Sequence, residues 1–268
     1  MRDWTIEKYL ELLRTIGKSG RKVYGVADYL ISEVYGVADY LINGNGKCRK
    51  IIIRHDIDIS ADEIFSVAGF ENAFKFRATY YFRKKNFEPA VIEKLKLLNH
   101  EIGYHYEVID RANGNNALAE HLFREDLERF RKSAEIKTVS AHLNPLTSYD
   151  NRDFWKNHKL EDFDLIGEAY LSFLNKPLVY FTDTDRIWEQ MRFERKDRMI
   201  PNGSFRILNA NSDIRSTEQL CDFILNYDGD IYLSVHPERW TTNFPNWVRW
   251  GVRDWLASAI KRILTIRR

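Results

Sequence analysis

The sequence predicts an α/β protein in which parallel strands alternate with helices. From residue 50 onwards, short runs rich in β-branched and aromatic residues end in polar residues, and helical stretches follow most of them. This alternation is typical of a parallel sheet with helical crossovers. The predicted strands cover residues 51–55, 78–82, 101–105, 137–142, 178–181 and 231–236. The predicted helices cover residues 60–75, 88–99, 116–134, 216–226 and 246–264.

Two of these helices carry a capping-box signal at their start. Ser60 is followed three residues later by Glu63, and Ser216 by Gln219. No linker rich in Pro, Gly or Ser divides the chain, so we expect residues 1–268 to form a single domain.

The composition excludes some classes of function and setting. The 41 basic and 39 acidic residues give a net charge of +2, which provides no global field for nucleic acid. The two cysteines, Cys48 and Cys221, form neither a disulfide framework nor a zinc motif. The N-terminus has charges where a signal peptide needs an apolar core, and no run approaches the roughly 18 apolar residues of a membrane span. These features favour a reducing, cytoplasmic setting.

The first 49 residues look like a helical extension with a tandem duplication. Residues 4–16 have helical periodicity. The run Val-Tyr-Gly-Val-Ala-Asp-Tyr-Leu-Ile then occurs at 23–31 and again at 34–42. Because Gly25 and Gly36 disfavour an uninterrupted helix, we interpret the repeat in 23–42 as a local duplication that forms a surface insertion.

The predicted strand at 51–55 leads directly into two carboxylates. Asp56 and Asp58 lie two residues apart, so the period of a strand places them on the same side. One carboxylate can hold a metal ion while the other accepts a proton from water. The alternative is a solvated strand end that caps the following helix.

Four further predicted strands also end in ionisable side chains. His105 and Glu107 follow one strand, and His142, Asp183 and His236 each follow another. Any single one of these histidines could be structural, and His100, which precedes its strand, is expected to be so. The strand ends of a parallel barrel converge on one mouth, which is where catalytic residues lie. The shared placement therefore predicts an active site.

The C-terminal segment 246–268 is predicted to be an amphipathic helix. Apolar residues such as Val248, Val252 and Trp255 recur at helical spacing, with Arg249 and Arg253 largely elsewhere. The favoured interpretation is a helix that covers the barrel. The alternative is a peripheral membrane contact with anionic lipid.

Five motifs together resemble the polysaccharide deacetylase-like, or NodB-homology, superfamily, which includes the family-4 carbohydrate esterases. They are Arg-His-Asp-Ile-Asp at 54–58, His-Glu-Ile-Gly-Tyr-His-Tyr-Glu at 100–107, Tyr-Asp-Asn-Arg-Asp at 149–153, Thr-Asp-Thr at 182–184 and His-Pro-Glu-Arg-Trp at 236–240. The resemblance implies a distorted (β/α) barrel of about seven parallel strands. It also implies a divalent metal, with zinc as the expected ion, and removal of acyl groups from sugars.

The matching positions carry the family's roles into this sequence. The resemblance implies that Asp56 is the catalytic base, Asp58 a metal ligand, His105 the first metal histidine and His236 the general acid. A second metal histidine usually follows four residues after the first, where this chain has Ile109.

Glu107 or His142 could supply that missing ligand, and Glu107 is slightly favoured because it lies beside His105. A substrate-binding role is predicted for a further set of residues near the predicted mouth. They are Tyr104, Tyr106, Arg152, Asp153, Asp183, Trp188 and Trp240. For the four aromatic residues a core role is an equally favoured alternative, and Arg152 and Asp153 could orient the acid and the base.

The leading hypothesis is a metal-dependent hydrolase that removes N- or O-linked acetyl groups from a glycan or sugar precursor. Ile109 favours a rival, a catalytically lapsed barrel that binds a glycan or a protein partner. A third hypothesis is a metal-dependent hydrolase of a non-sugar amide.

Overall fold

A curled parallel sheet forms the centre of the molecule. The structure is a computed structural model that describes residues 2–34, 48–59, 62–144, 147–174, 176–188 and 214–266. Eight parallel strands lie within these residues, and their order along the sheet is β6-β5-β4-β3-β2-β8-β7, with β1 pairing beside β2. The strands are β1 (Lys22–Tyr24), β2 (Lys50–Ile57), β3 (Thr79–Phe82), β4 (Glu101–Tyr106), β5 (Thr138–Ala141), β6 (Gly167–Glu168), β7 (Leu178–Thr182) and β8 (Asp230–Val235).

Helices connect the strands, as the sequence predicts. They are α1 (Ile6–Lys18), α2 (Val26–Val34), α3 (Glu63–Ala73), α4 (Pro89–Leu97), α5 (Val108–Arg111), α6 (Asn116–Arg131), α7 (Thr217–Asn226) and α8 (Phe244–Ile266). The capping box at Ser216 is confirmed, because its side chain and that of Gln219 exchange the expected hydrogen bonds. The box at Ser60 is wrong, because α3 begins at Glu63 with Asp62 as its N-cap residue. Ser60 itself lies outside the described residues.

The α/β prediction and the distorted (β/α) barrel are confirmed by the way the sheet curls. Arg54 on β2 and the Tyr232 hydroxyl on β8 both donate hydrogen bonds to the carbonyl oxygen of Ala169, which follows β6, at 3.3 and 3.0 Å. Arg54 also donates to the Tyr180 hydroxyl on β7 at 3.2 Å. The two ends of the sheet therefore face each other across a polar interior. Among the described residues β6 and β7 do not pair, so the barrel has an open seam there.

The first copy of the duplicated run belongs to the core, which corrects the expectation of a purely helical extension. Its first residues form β1, which pairs with the first half of β2, and the rest form α2. Tyr24, Val26 and Tyr29 are buried. Gly25 lies between the two elements, where an added Cβ would come within 2.5 Å of the Glu101 carboxylate. The second copy, apart from Val34, lies outside the described residues.

A buried carboxylate fixes the outer face of β2 to its neighbours. The Glu71 side chain on α3 accepts hydrogen bonds from Tyr80 and Tyr9 and lies 2.8 Å from His55 Nε2. Burial alone would raise the pKa of Glu71, but His55 and the hydroxyls bring it below its usual value. His100 hydrogen-bonds backbone atoms nearby, which agrees with its expected structural role.

The long C-terminal helix α8 packs against the turns that follow β7 and β8. These turns lie at the carboxyl ends of the strands, so the helix borders the end of the sheet where the ionisable residues gather. Within the described residues, no helix combines the length and apolar character that crossing a bilayer requires.

Candidate metal centre

Three side chains from three neighbouring strands meet at the carboxyl end of the sheet. Asp58 follows β2, His105 lies near the end of β4, and His142 follows β5. One ligand atom from each lies within 4.8 Å of the others. The parallel arrangement explains this meeting, since every strand delivers its last residues to the same edge.

The spacing of these atoms fits a divalent ion. Asp58 Oδ1 lies 3.6 Å from His105 Nε2 and 3.5 Å from His142 Nε2. Two ligands bound about 2.1 Å from a tetrahedral ion lie about 3.4 Å apart. Asp58 Oδ1 is buried and has no hydrogen-bond partner among the described residues. A buried oxygen without a partner is costly, and a cation bound at this position would remove that cost.

The protonation states at this cluster also suit a metal. Burial, opposed by the charge of Asp58, lowers the pKa of His142 to about 4, so its imidazole is neutral at neutral pH and keeps a lone pair. Burial would raise the pKa of Asp58, but His142 and His105 bring it well below its usual value. One carboxylate and two imidazoles form a donor set that Zn²⁺ and similar ions accept.

A backbone carbonyl orients the His105 ring, and a carboxylate lies behind the His142 ring. His105 Nδ1 lies 3.0 Å from the carbonyl oxygen of Ser140, so Nδ1 carries the proton and Nε2 is left for a ligand. His142 Nδ1 lies 3.6 Å from Glu107 Oε2. This carboxylate also accepts a hydrogen bond from Arg83. Glu107 therefore lies behind His142 rather than in the cluster, which corrects the preference for Glu107 as the third ligand.

The proposed base, Asp56, is held by an arginine from its own strand. Arg54 Nη2 lies 3.1 Å from Asp56 Oδ2, and both side chains are buried on the inner face of the barrel. The guanidinium also contacts Ser234, and it lies 4.1 Å from the centre of the Tyr170 ring. Asp56 Oδ1 has no hydrogen-bond partner among the described residues. One oxygen is thus fixed, and the other is available to accept a proton.

The proposed acid, His236, is held by Asp183. Asp183 Oδ1 lies 2.6 Å from His236 Nδ1, and Asp183 Oδ2 accepts hydrogen bonds from the His236 backbone N–H and from Trp240 Nε1. Burial and Arg239 lower the pKa of His236, but Asp183 outweighs them and raises it. Asp183 is fully buried, so it positions His236 and does not touch a substrate, which corrects its expected substrate-binding role.

Sequence reasoning missed Glu238, the middle residue of the His-Pro-Glu-Arg-Trp motif. Its side chain is buried, and Oε2 has no hydrogen-bond partner among the described residues. Burial, opposed by His236 and Arg239 and assisted by Asp58, raises the pKa of Glu238 to about 7. The position of Glu238 two residues after His236 is visible in the motif, but nothing in the sequence shows that its side chain is buried.

Four predicted substrate-binding aromatics belong to the core. Tyr104, Tyr106, Trp188 and Trp240 are all fully buried. The tyrosine hydroxyls find partners inside the protein: Tyr104 donates to Asp126, and Tyr106 accepts from the Trp155 indole at 2.9 Å. With no ring face exposed, these side chains have the core positions that were the alternative to sugar stacking.

The last two predicted substrate-binding residues differ from each other. Arg152 is buried and is bound by Asp150, and it lies 5.9 Å from the ring of Tyr170, the ring that also packs on Arg54. Asp153 is exposed and pairs with Lys156, which is also exposed. Arg152 thus lies near the ring on which Arg54 packs, whereas Asp153 pairs with another residue on the protein surface.

Comparison with known proteins adds no family to these observations. No protein-family model matches the sequence, and no curated protein matches it.

Proposed function

We propose that the protein is a metal-dependent hydrolase that removes acetyl groups from a glycan or sugar precursor. The observation that carries this proposal is the cluster of Asp58, His105 and His142. It lies at the same end of the sheet as Asp56, which Arg54 holds, and His236, which Asp183 holds. His142 supplies the second histidine that Ile109 does not, and this weakens the case for a lapsed barrel.

The side chains divide the reaction between them. Asp56 accepts the proton of the attacking water through its free oxygen, while Arg54 fixes the other oxygen. His236, protonated because of Asp183, gives its proton to the leaving amine or alcohol. Asp58, His105 and His142 would hold the divalent ion, which when bound would polarise the scissile carbonyl and the water.

The substrate class depends on the motif resemblance rather than on the shape of the site. One observation favours a second candidate, a hydrolase of a non-sugar amide. The four aromatic rings expected to stack on a sugar are buried, and a small acyl amide needs no such platform. Both candidates use the same residues for chemistry, so a comparison of substrates separates them.

Metal content and turnover test the proposal together. Asp58→Asn should lose the divalent ion, whereas Asp153→Asn, a matched change at an exposed aspartate, should retain it. Asp56→Asn should keep the ion but lose turnover by roughly 100-fold or more, because only the base is removed. Metal is measured by mass spectrometry, and turnover with a chromogenic acetate ester, an N-acetylated sugar oligomer and a simple N-acetyl amine.

Two results would contradict the proposal. Full turnover in Asp56→Asn would remove the assigned base. Equal metal content in Asp58→Asn and Asp153→Asn would remove the assigned site. Turnover of the N-acetyl amine without turnover of the sugar oligomer would replace the sugar substrate with the second candidate.

A further inference from the structure

Apolar side chains cover an exposed stripe of α8. Val248, Val252 and Leu256 follow one another at intervals of four residues, with Trp255 beside them. Trp255 is 69% exposed and Val252 is 52% exposed. A helix on the surface of a globular protein normally turns such a stripe toward the core. In α8 the stripe faces outward.

Polar contacts fix the helix in this orientation. Asp254 is buried and forms ion pairs with Arg239 at 3.3 Å and with Arg186 at 3.7 Å. Arg186 packs so closely on the helix that a Cβ added at Gly251 would lie 2.8 Å from its Nη1 atom. The Trp247 indole donates a hydrogen bond to the carbonyl oxygen of Asp3 at 2.8 Å. Residues 247, 251 and 254 therefore form the inward face, and the apolar stripe lies away from it.

The C-terminal segment 246–268, which contains most of α8, is strongly basic. It has six basic residues and one acidic residue, a net charge of +5, so the rest of the chain has a net charge of +2 − 5 = −3. The one acid, Asp254, is already paired within the protein. The basic residues are Arg249, Arg253, Lys261, Arg262, Arg267 and Arg268.

We propose that α8 is a docking helix for the surface of an anionic phospholipid membrane. An interfacial helix has an apolar stripe that enters the headgroup region and basic residues that attract acidic lipids. Tryptophan favours this boundary, and Trp255 lies on the exposed stripe. The exposed side chains of Arg249 and Arg253 lie beside the apolar stripe, and their guanidinium groups are 5.6 and 5.1 Å from the Trp250 ring.

The helix also lies beside the candidate site. It contacts the turn after β8, and Arg239 in that turn lies 3.6 Å from Asp183, which holds His236. Docking of α8 on a membrane would therefore keep the carboxyl end of the sheet close to the lipid surface. This placement suits a substrate that is itself anchored in lipid.

Co-sedimentation of the full chain with vesicles tests the proposal. Binding is compared on vesicles of phosphatidylcholine alone and of phosphatidylcholine mixed with phosphatidylglycerol. The mixed vesicles should bind the protein at least roughly 10-fold more strongly, and added salt should weaken this binding. Arg249→Glu combined with Arg253→Glu, and separately Val252→Ser combined with Trp255→Ser, should each reduce the partition coefficient by roughly 10-fold.

Matched controls separate lipid binding from misfolding and from self-association. Leu97 on α4 is 84% exposed, and Leu97→Ser should leave vesicle binding unchanged. All variants should retain the thermal unfolding temperature of the wild type, since the changed side chains are exposed. Equal binding to both vesicle types, or no binding, would overturn the proposal. A dimer that Val252→Ser with Trp255→Ser converts to a monomer, without vesicle binding by the wild type, would identify a second copy as the occupant instead.

Discussion

At the scale of single residues, the choice between His142 and Glu107 separates a ligand from a group that supports it. His142→Ala should remove a direct ligand and weaken metal affinity by roughly 100-fold or more, whereas Glu107→Gln should weaken it by roughly 10-fold, because Glu107 only orients His142. Titration with zinc in the presence of a competing chelator measures both. His121→Ala, an exposed histidine on α6, is the control. A larger loss in Glu107→Gln would return the ligand role to Glu107.

Asp183 sets the pH range in which His236 can act as an acid. Burial and Arg239 lower the pKa of His236, and Asp183 more than offsets them. An acid works only while protonated, so Asp183→Asn should move the alkaline limb of kcat/KM to lower pH. At about pH 8 turnover should fall by roughly 10-fold or more.

Arg239→Gln provides a control of opposite sign for this prediction. Because Arg239 lowers the pKa of His236, its loss should move the alkaline limb to higher pH. A limb that stays in place in both variants would show that His236 is not the group that titrates.

The roles of these residues were predictable from the sequence to different degrees. Strand period and strand ends were enough to gather Asp56, Asp58, His105, His142 and His236 at one edge. They could not rank His142 above Glu107, because that order depends on where Arg83 lies, 24 positions before Glu107. Nor could they show that Asp183 is buried beneath His236, since burial depends on contacts from distant parts of the chain.

At the scale of elements, the duplicated run leads to an unusual prediction about deletion. Removal of residues 23–33 deletes two of the three residues of β1 and most of α2, including the buried side chains of Tyr24, Val26 and Tyr29. The second copy is identical, however, so it then follows Lys22 directly and restores the sequence from Val23 to Ile31. The variant should therefore keep β1 and most of α2. It replaces the last three residues of α2, Ser32 to Val34, by Asn-Gly-Asn, loses the ion pair of Glu33 with Lys50, and has a connection to β2 that is 11 residues shorter.

Urea unfolding measures the outcome. The free energy of unfolding should change by about 1 kcal/mol or less, because loop length contributes only weakly to stability. A matched variant that lacks 23–33 and also carries Val→Ser at the position equivalent to Val26 should be clearly destabilised, since Val26 is fully buried. Loss of cooperative unfolding in the simple deletion would show that the second copy cannot replace the first.

The elements that sequence reasoning missed are the shortest ones. The six strands predicted from the sequence all match the structure to within two residues at each end. β1 and β6 contain three and two residues, too few to show a period of two. β1 is recognisable only from its pairing with β2, and β6 only from its pairing with β5.

At the scale of the whole molecule, the buried acid Glu238 links stability to pH. Burial raises its pKa from 4.5 to about 7, so the folded protein favours the protonated form more than the unfolded chain does. The contribution to stability is complete below about pH 4.5 and is lost as the pH rises through about 7. Between about pH 4 and about pH 8 this costs about 3 kcal/mol.

Glu238→Gln should remove this dependence and leave the protein more stable than the wild type at about pH 8. The measurement is urea unfolding of chelator-treated protein at both pH values, because a bound cation would change the charge near Glu238. Glu128→Gln, at an exposed position on α6, should behave as the wild type does. Parallel stability curves for wild type and Glu238→Gln would show that Glu238 is ionised throughout.

The open seam of the barrel divides the molecule into slowly and rapidly exchanging parts. Strands β2 and β8 have hydrogen-bonded partners on both sides, whereas β6 has two residues and one partner. Their amide protons should therefore exchange with deuterium at very different rates, slowest on β2 and β8 and fastest at β6. Asp56 and Asp58 lie at the end of β2, and His236 follows β8. These three groups thus stand at the ends of strands that are paired on both sides, whereas His142 follows β5, the strand that pairs with β6.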